Sequence, residues 1–140
     1  MNIFFHSQEI DFTIPESEQK SVRDWIFRTV TEEINTDIGE ISLVFCSDDY
    51  LLDINRQYLD HHYYTDIITF PYSEKPLSAD LFISYDRVKE NAEKLNTEFR
   101  DELYRVIIHG ILHLCGYRDD TEEAVREMRR KEDHYLSVRR

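Results

Sequence analysis

The chain has 140 residues, with 17 basic side chains against 29 acidic and a formal charge of −12 at neutral pH. This length gives one domain, residues 1–140, with a core large enough to fold without disulfides, and no stretch approaches the ~20 apolar residues that span a bilayer. Two cysteines in apolar neighbourhoods, Cys46 and Cys115, and an N-terminus without the basic and apolar regions of a targeting segment point to a soluble protein of the reducing cytoplasm, away from membranes.

Along the chain, Ile3-Phe-Phe and Ile10-Asp-Phe-Thr-Ile14 predict short strands. After Pro15, the residues Val22, Trp25, Ile26, Val30 and Ile34 recur at three- and four-residue spacing, which predicts a helix with a core-facing stripe. Gly39 is expected to break it. Ile41-Ser-Leu-Val-Phe45 is rich in β-formers and predicts a strand, and Ser47 with the aspartates after it opens a helix reaching Tyr58. Residues 60–64 read as a loop. Ile67 to Phe70 and Leu81 to Ser84 predict a hairpin whose turn holds Pro71, Ser73 and Pro76. A helix carrying Val88, Ala92 and Leu95 follows, then one from Glu98 to Cys115 and a last one from near Thr121. The expected architecture is α+β: a small mixed sheet of about four strands with helices packed on it and a central helix bearing candidate metal ligands.

That central helix ends in His109-Gly-Ile-Leu-His113-Leu-Cys-Gly116-Tyr-Arg-Asp119. Residues four apart are neighbours on a helix, so His109 and His113 share a face. Gly116 can take the left-handed conformation that ends a helix, with Tyr117 supplying the accompanying apolar contact. Three residues of extended chain reach about 10 Å, which lets Asp119 return over the last turn. Two imidazoles and a carboxylate make the three-ligand set of a catalytic zinc with a fourth position open. The segment around the histidines is apolar almost all round, so both rings need polar partners; a metal ion is favoured over backbone carbonyls, because the mid-helix glycine between them needs its own reason. Gly110, at a cost of about 1 kcal/mol relative to alanine in mid-helix, is expected to let another element come close. Asp120, with Glu123 in the capping-box position, is expected to cap the last helix and leave Asp119 free. Cys115, two residues past His113, points to another side of the helix. The H-E-x-x-H protease pattern is excluded, because Gly110 stands where that motif has its general base.

These residues resemble the H-G-x-L-H-L-x-G-Y-D-H signature of the YbeY family of metal-dependent endoribonucleases. Asn55-Arg-Gln-Tyr58 through Thr65-Asp66-Ile-Ile-Thr-Phe70-Pro71 is similar to its N-x-x-Y-R…T-D-V-L-S-F-P, and Ala79-Asp80-Leu-Phe-Ile83-Ser84 to its G-D-I-x-I-S. The resemblance runs from about residue 40 to residue 120 and implies the α+β fold above. It implies a single-strand-specific endoribonuclease acting on ribosomal RNA, in maturation of the 16S 3′ end and in ribosome quality control, with the small ribosomal subunit as partner. It also implies one divalent metal ion, zinc by expectation, and no organic cofactor. The family's third histidine falls at Asp119 and the aspartate before it at Arg118, so the implied ligands are His109, His113 and Asp119. A carboxylate is a harder ligand than imidazole and lets nickel, manganese or iron compete. Leu59 stands where the family carries an arginine, a role that His61 or His62 could take over.

The expected chemistry is hydrolysis of single-stranded RNA by metal-activated water. Arg118 at the rim and Asp66 are the catalytic candidates, though the reading of Asp66 and Asp80 as hydrogen-bonded structural carboxylates is favoured; the general base and the oligomeric state are unassigned. Of the aromatics Tyr58, Tyr63, Tyr64, Phe70 and Tyr72 expected around the 60–64 loop, Tyr63 and Tyr64 are the candidates for stacking bases. The excess negative charge lies in residues 1–117, since residues 118–140 hold seven basic and seven acidic side chains. An acidic nuclease of this kind is expected to act on RNA that a ribosomal subunit presents. Two rival readings are a metallohydrolase with another small substrate and a non-catalytic assembly factor whose metal braces the fold.

Overall fold

The computed structural model describes residues 2–139. In chain order it comprises β1 (Ile3–Gln8), α1 (Glu16–Ile34), β2 (Ile38–Cys46), α2 (Asp48–Leu59), β3 (Ile67–Glu74), β4 (Leu77–Ser84), α3 (Tyr85–Leu95), α4 (Phe99–Leu114) and α5 (Glu122–Ser137). The four strands form one mixed sheet in the order β1-β2-β4-β3. β1 and β4 run parallel to β2, and β3 closes the sheet antiparallel to β4.

Side chains alternate across a strand, and here both faces are covered. Ile41, Leu43 and Phe45 of β2 and Ala79, Leu81 and Ile83 of β4 point into the main core, which α1, α3, α4 and α5 complete with Trp25, Ile26, Val88, Ile107, Ile108, Ile111, Met128 and Tyr135. On the opposite face α2 packs Leu51 over Cys46 and Ile68, with Phe70 and Phe82 alongside. α4 is the interior helix. Leu103, Tyr104, Val106, Ile107, Ile108, Ile111 and Leu112 are all buried.

Several boundaries differ from the sequence-based expectation. Residues 10–14 form no strand, because Glu9 turns left-handed (φ 62°) and carries the chain out of the sheet. Ile14 is buried all the same, and Ile10 and Phe12 partly so, with the Phe12 ring against Phe45, Tyr85 and Phe99. α1 is ended by left-handed Asn35, whose N–H bonds the Thr31 carbonyl at 3.0 Å, and not by Gly39, which lies inside β2 at a bulge. Pro71 and Ser73 belong to β3 and not to the hairpin turn, which is reduced to Lys75 and Pro76. An edge strand tolerates proline where a central one would not, and the register shifts between these two residues. α5 is capped by Thr121, whose hydroxyl accepts from the Ala124 N–H at 3.0 Å, while Asp120 is engaged by Arg118.

Gly110 sets the distance between α4 and the sheet. A Cβ there would lie 2.5 Å from Ile67 Cδ1 and 2.9 Å from Leu81 Cδ2, so the helix backbone rests directly on β3 and β4. Gly110→Val is therefore expected to overpack this contact and lower stability by about 1–3 kcal/mol, read as a lower urea midpoint at unchanged m-value. A midpoint equal to wild type would show that the contact does not set the helix position.

Candidate metal centre

Arg105, His109 and His113 follow one another at four-residue steps and share one face of α4. The helix ends at Cys115, and Gly116 turns the chain with φ 107°. The Gly116 N–H bonds the His113 carbonyl and the Tyr117 N–H bonds the Leu112 carbonyl, both at 3.0 Å. These are the paired bonds of a Schellman cap. The Tyr117 ring packs on the main core and its hydroxyl donates to Glu33 at 2.7 Å. The reversal brings Asp119 back over the last helical turn, with Oδ2 3.4 Å from Nε2 of both His109 and His113.

The orientation of both rings is set from behind. His113 Nδ1 lies 3.0 Å from the Tyr117 carbonyl, which can only accept, so Nδ1 carries the proton. His109 Nδ1 lies 2.6 Å from Oε2 of Glu132, whose other oxygen accepts from Arg105 at 2.9 Å. A carboxylate paired with a guanidinium is ionised and accepts from the imidazole. Both Nε2 atoms therefore present lone pairs inward, and they stand 3.0 Å apart. His109, His113 and Asp119 each offer one donor atom within 4.8 Å of the others, a set that could hold a metal ion. Cys115 does not join it: its thiol lies in the core near Glu33, and burial, with that carboxylate, pushes its pKa up to about 12.

Two clefts meet at these residues and share Asp66, His109 and Asp119 in their walls. One, of about 690 Å³, is bounded by Leu59, His61 and Tyr63 on one side and by Tyr117 and Arg118 on the other. The second, of about 560 Å³, lies towards Arg105, Val125, Arg129 and Glu132. Asp66 is thus brought to the histidines. Burial raises its carboxyl above the ordinary range, against the pull of His109 and of backbone N–H groups. Arg118 stands at the rim, but its fork is held by Asp120 at 2.6 and 3.1 Å. Asp80 lies on the α2 face of the sheet, away from the histidines, where it accepts from Tyr72 at 2.7 Å. Among the loop aromatics, Tyr63 lines the first cleft, whereas Tyr64 is bonded to Asp49 at 3.2 Å beneath Arg87. Tyr58, Phe70 and Tyr72 line a separate groove beside α2. His61 reaches the first cleft; His62 faces Asp60 at 3.4 Å.

Glu132, Arg105 and Glu33 escaped the sequence reading. Glu132 left one signal: it interrupts the buried stripe of α5, Met128 and Tyr135, with a carboxylate. Glu33 sits on α1, where it accepts from Tyr117, Tyr135 and Lys131 and so anchors the residue whose carbonyl orients His113. Its carboxyl is lowered: burial opposes the charge, but Tyr135, Tyr117 and Lys131 outweigh it. For His109 burial again disfavours the charge, and Glu132, with Asp66 and Asp119, overcomes it and raises the pKa above 6.5. The stability carried by the protonated ring is fully present below the unfolded value of about 6.5 and lost as pH rises through the higher folded value. Chelator-treated protein should therefore lose stability in urea as pH rises above 6.5, and Glu132→Gln should remove that dependence. An NMR titration of His109 left unchanged by Glu132→Gln would contradict this assignment.

Comparison with known proteins agrees with this architecture. A family model described as Endoribonuclease YbeY matches residues 3–139. An Endoribonuclease YbeY of Parabacteroides distasonis is 45% identical over 139 residues, covering 99% of this chain and 96% of that protein. One of Bacteroides fragilis is 47% identical over 128 residues, covering 91% of each. A solution structure of a Thermotoga maritima protein superposes with a TM-score of 0.66 at 27% identity, covering 96% of this chain and 87% of that one. Signature, fold and relatives agree, and the chain belongs to the YbeY family.

Proposed function

We propose that this chain is a metal-dependent endoribonuclease that cuts single-stranded RNA in the maturation of ribosomal RNA, at the 16S 3′ end, with residues 1–140 acting as one metallohydrolase domain. His109, His113 and Asp119 would hold one divalent ion, and zinc suits the donor set best. The observation that carries this reading is the pair of Nε2 lone pairs facing each other at 3.0 Å. Two neutral imidazoles in this tautomer repel there, and a cation between them removes the conflict. The spacing to Asp119 also suits one. Donor atoms about 2.0–2.1 Å from a tetrahedral ion lie about 3.3–3.4 Å from one another, and both imidazole-to-Asp119 distances are 3.4 Å.

When bound, such an ion supplies Lewis acidity, polarising a phosphoryl oxygen and activating water near neutral pH. The protein's own groups do the positioning. Glu132 and the Tyr117 carbonyl lock both tautomers, and the Schellman turn at Gly116 delivers Asp119. Asp66, in the wall shared by both clefts, is the candidate for proton exchange with substrate. Arg118 can reach a phosphate oxygen by trading its bond to Asp120. The charge of −12 supports a substrate presented by a partner, the small ribosomal subunit in this reading, over capture of free RNA by a basic face. Among the described residues, no helix is long and apolar enough to cross a membrane.

Wild-type protein should carry stoichiometric metal by elemental analysis and cleave a single-stranded oligoribonucleotide, and His113→Ala should lose both. Metal retained one-to-one by both His113→Ala and Asp119→Ala would overturn the ligand assignment; metal without cleavage in the wild type would overturn the nuclease reading. Glu132→Gln should weaken zinc affinity about 10–100-fold in competition with a chelating dye, and equal affinity would exclude it as the group that orients His109.

A further inference from the structure

We propose that the two clefts beside His109 and Asp119 form one track for a single RNA strand, in which an unpaired base stacks on Tyr63 and a phosphate pairs with Arg129. The proposal rests on the nuclease reading above and adds how the strand is held on either side of the metal ligands.

The first arm of the track is a platform held in place before any ligand arrives. Tyr63 is 57% exposed, yet its ring stacks on His61 with centroids 5.2 Å apart and planes inclined by 22°. Its hydroxyl lies 3.1 Å from His61 Nδ1. Asn55, 1% exposed within α2, fixes the loop that carries the pair: its side chain donates to the Tyr63 carbonyl at 2.9 Å, and its own carbonyl accepts from the His61 N–H at 3.1 Å. A buried amide spent on holding an exposed aromatic in a cleft wall lowers the ordering cost of stacking a base on it. Stacking reads no sequence and requires an unpaired base, which gives the site a physical reason to prefer single strands. Leu59, beside this loop, carries no charge for a phosphate, so the electrostatic contact must come from elsewhere.

Arg129 supplies it on the second arm. It lines the cleft that holds His109 and Asp119, and its side chain is 66% exposed. Its approach to Glu132 is 4.0 Å, and that oxygen is already taken by Arg105 at 2.9 Å. Among the described residues no hydrogen bond engages its guanidinium, in contrast to Arg118, whose fork is held by Asp120. The acidic neighbours in this cleft are Asp66, Glu102, Asp119 and Glu132. Glu132 is occupied by His109 and Arg105, Asp119 faces both histidines, and Glu102 is buried. Both arms share Asp66, His109 and Asp119, so a strand lying in them crosses the candidate metal ligands.

The two contacts differ in kind, and binding across a salt series separates them. The probe is a fluorescein-labelled, phosphorothioate-linked single-stranded oligoribonucleotide, which keeps one negative charge per linkage and resists hydrolysis, followed by anisotropy with the zinc-loaded protein and checked intact on a denaturing gel. Tyr63→Ala should weaken binding about tenfold with an unchanged salt slope, while Tyr63→Phe should bind as wild type. Arg129→Ala should flatten the slope of log K against log salt by about 0.7, one phosphate contact to a single strand. Elemental analysis should find the metal content of all three variants unaltered. If Tyr63→Ala or Arg129→Ala binds as wild type at every salt concentration, the continuous track is overturned. Cleavage of an unmodified strand by the wild type beside such variants would sink the track alone, whereas a wild type that neither binds nor cleaves would take the nuclease reading down with it.

Discussion

Two imidazole nitrogens that face each other at 3.0 Å with their lone pairs inward are the constraint around which this structure is arranged. Neither ring can escape the conflict by turning over. Nδ1 of His113 is committed to the Tyr117 carbonyl and Nδ1 of His109 to Glu132. The arrangement costs free energy in the bare protein and is relieved by positive charge, whether a proton on His109, whose pKa is raised accordingly, or a metal ion. Groups that would relax in an ordinary surface cluster are here tied to the core through Glu33, Glu132 and Tyr117.

The fold supplies this geometry through one close packing contact and one turn. Gly110 lets α4 lie against β3 and β4, which fixes the helix while leaving its next turn open to the clefts. Gly116 then reverses the chain within hydrogen-bonding distance of the helix end, so that Asp119 is delivered by backbone geometry. α5 returns across α4 and brings Glu132 behind His109. Helix interior, helix cap and following helix therefore each contribute one element of the same centre, and stability and site geometry depend on the same packing.

Much of this was legible because it is local. His109, His113, Gly116 and Asp119 lie close together in sequence, and helical periodicity with the reach of a short reversal is enough to converge them. The helices carrying Val22 to Ile34 and Val88 to Leu95 announce themselves by their stripes for the same reason. What resisted reading depends on partners remote in the chain. Glu132 looks like one charge among many on a mixed helix until α5 is laid on α4. Pro71 reads as a turn residue unless β3 is known to be an edge strand. Ile10 to Ile14 alternates like a strand, yet Glu9 directs it over the end of the sheet, where Phe12 finds its aromatic neighbours. The aromatics around residue 60 cluster in sequence but divide between two grooves, because Tyr58 lies on α2 and Phe70 and Tyr72 on β3, whereas Tyr63 lies in the loop that joins them.

The central claim, that the two histidines and Asp119 hold one ion with an open coordination position, is tested most directly by X-ray absorption at the metal edge of zinc-loaded protein. The account predicts a first shell of nitrogen and oxygen atoms at about 2.0–2.2 Å, with the outer-shell scattering of two imidazoles. A sulfur scatterer at about 2.3 Å, or a shell without imidazole, would contradict it.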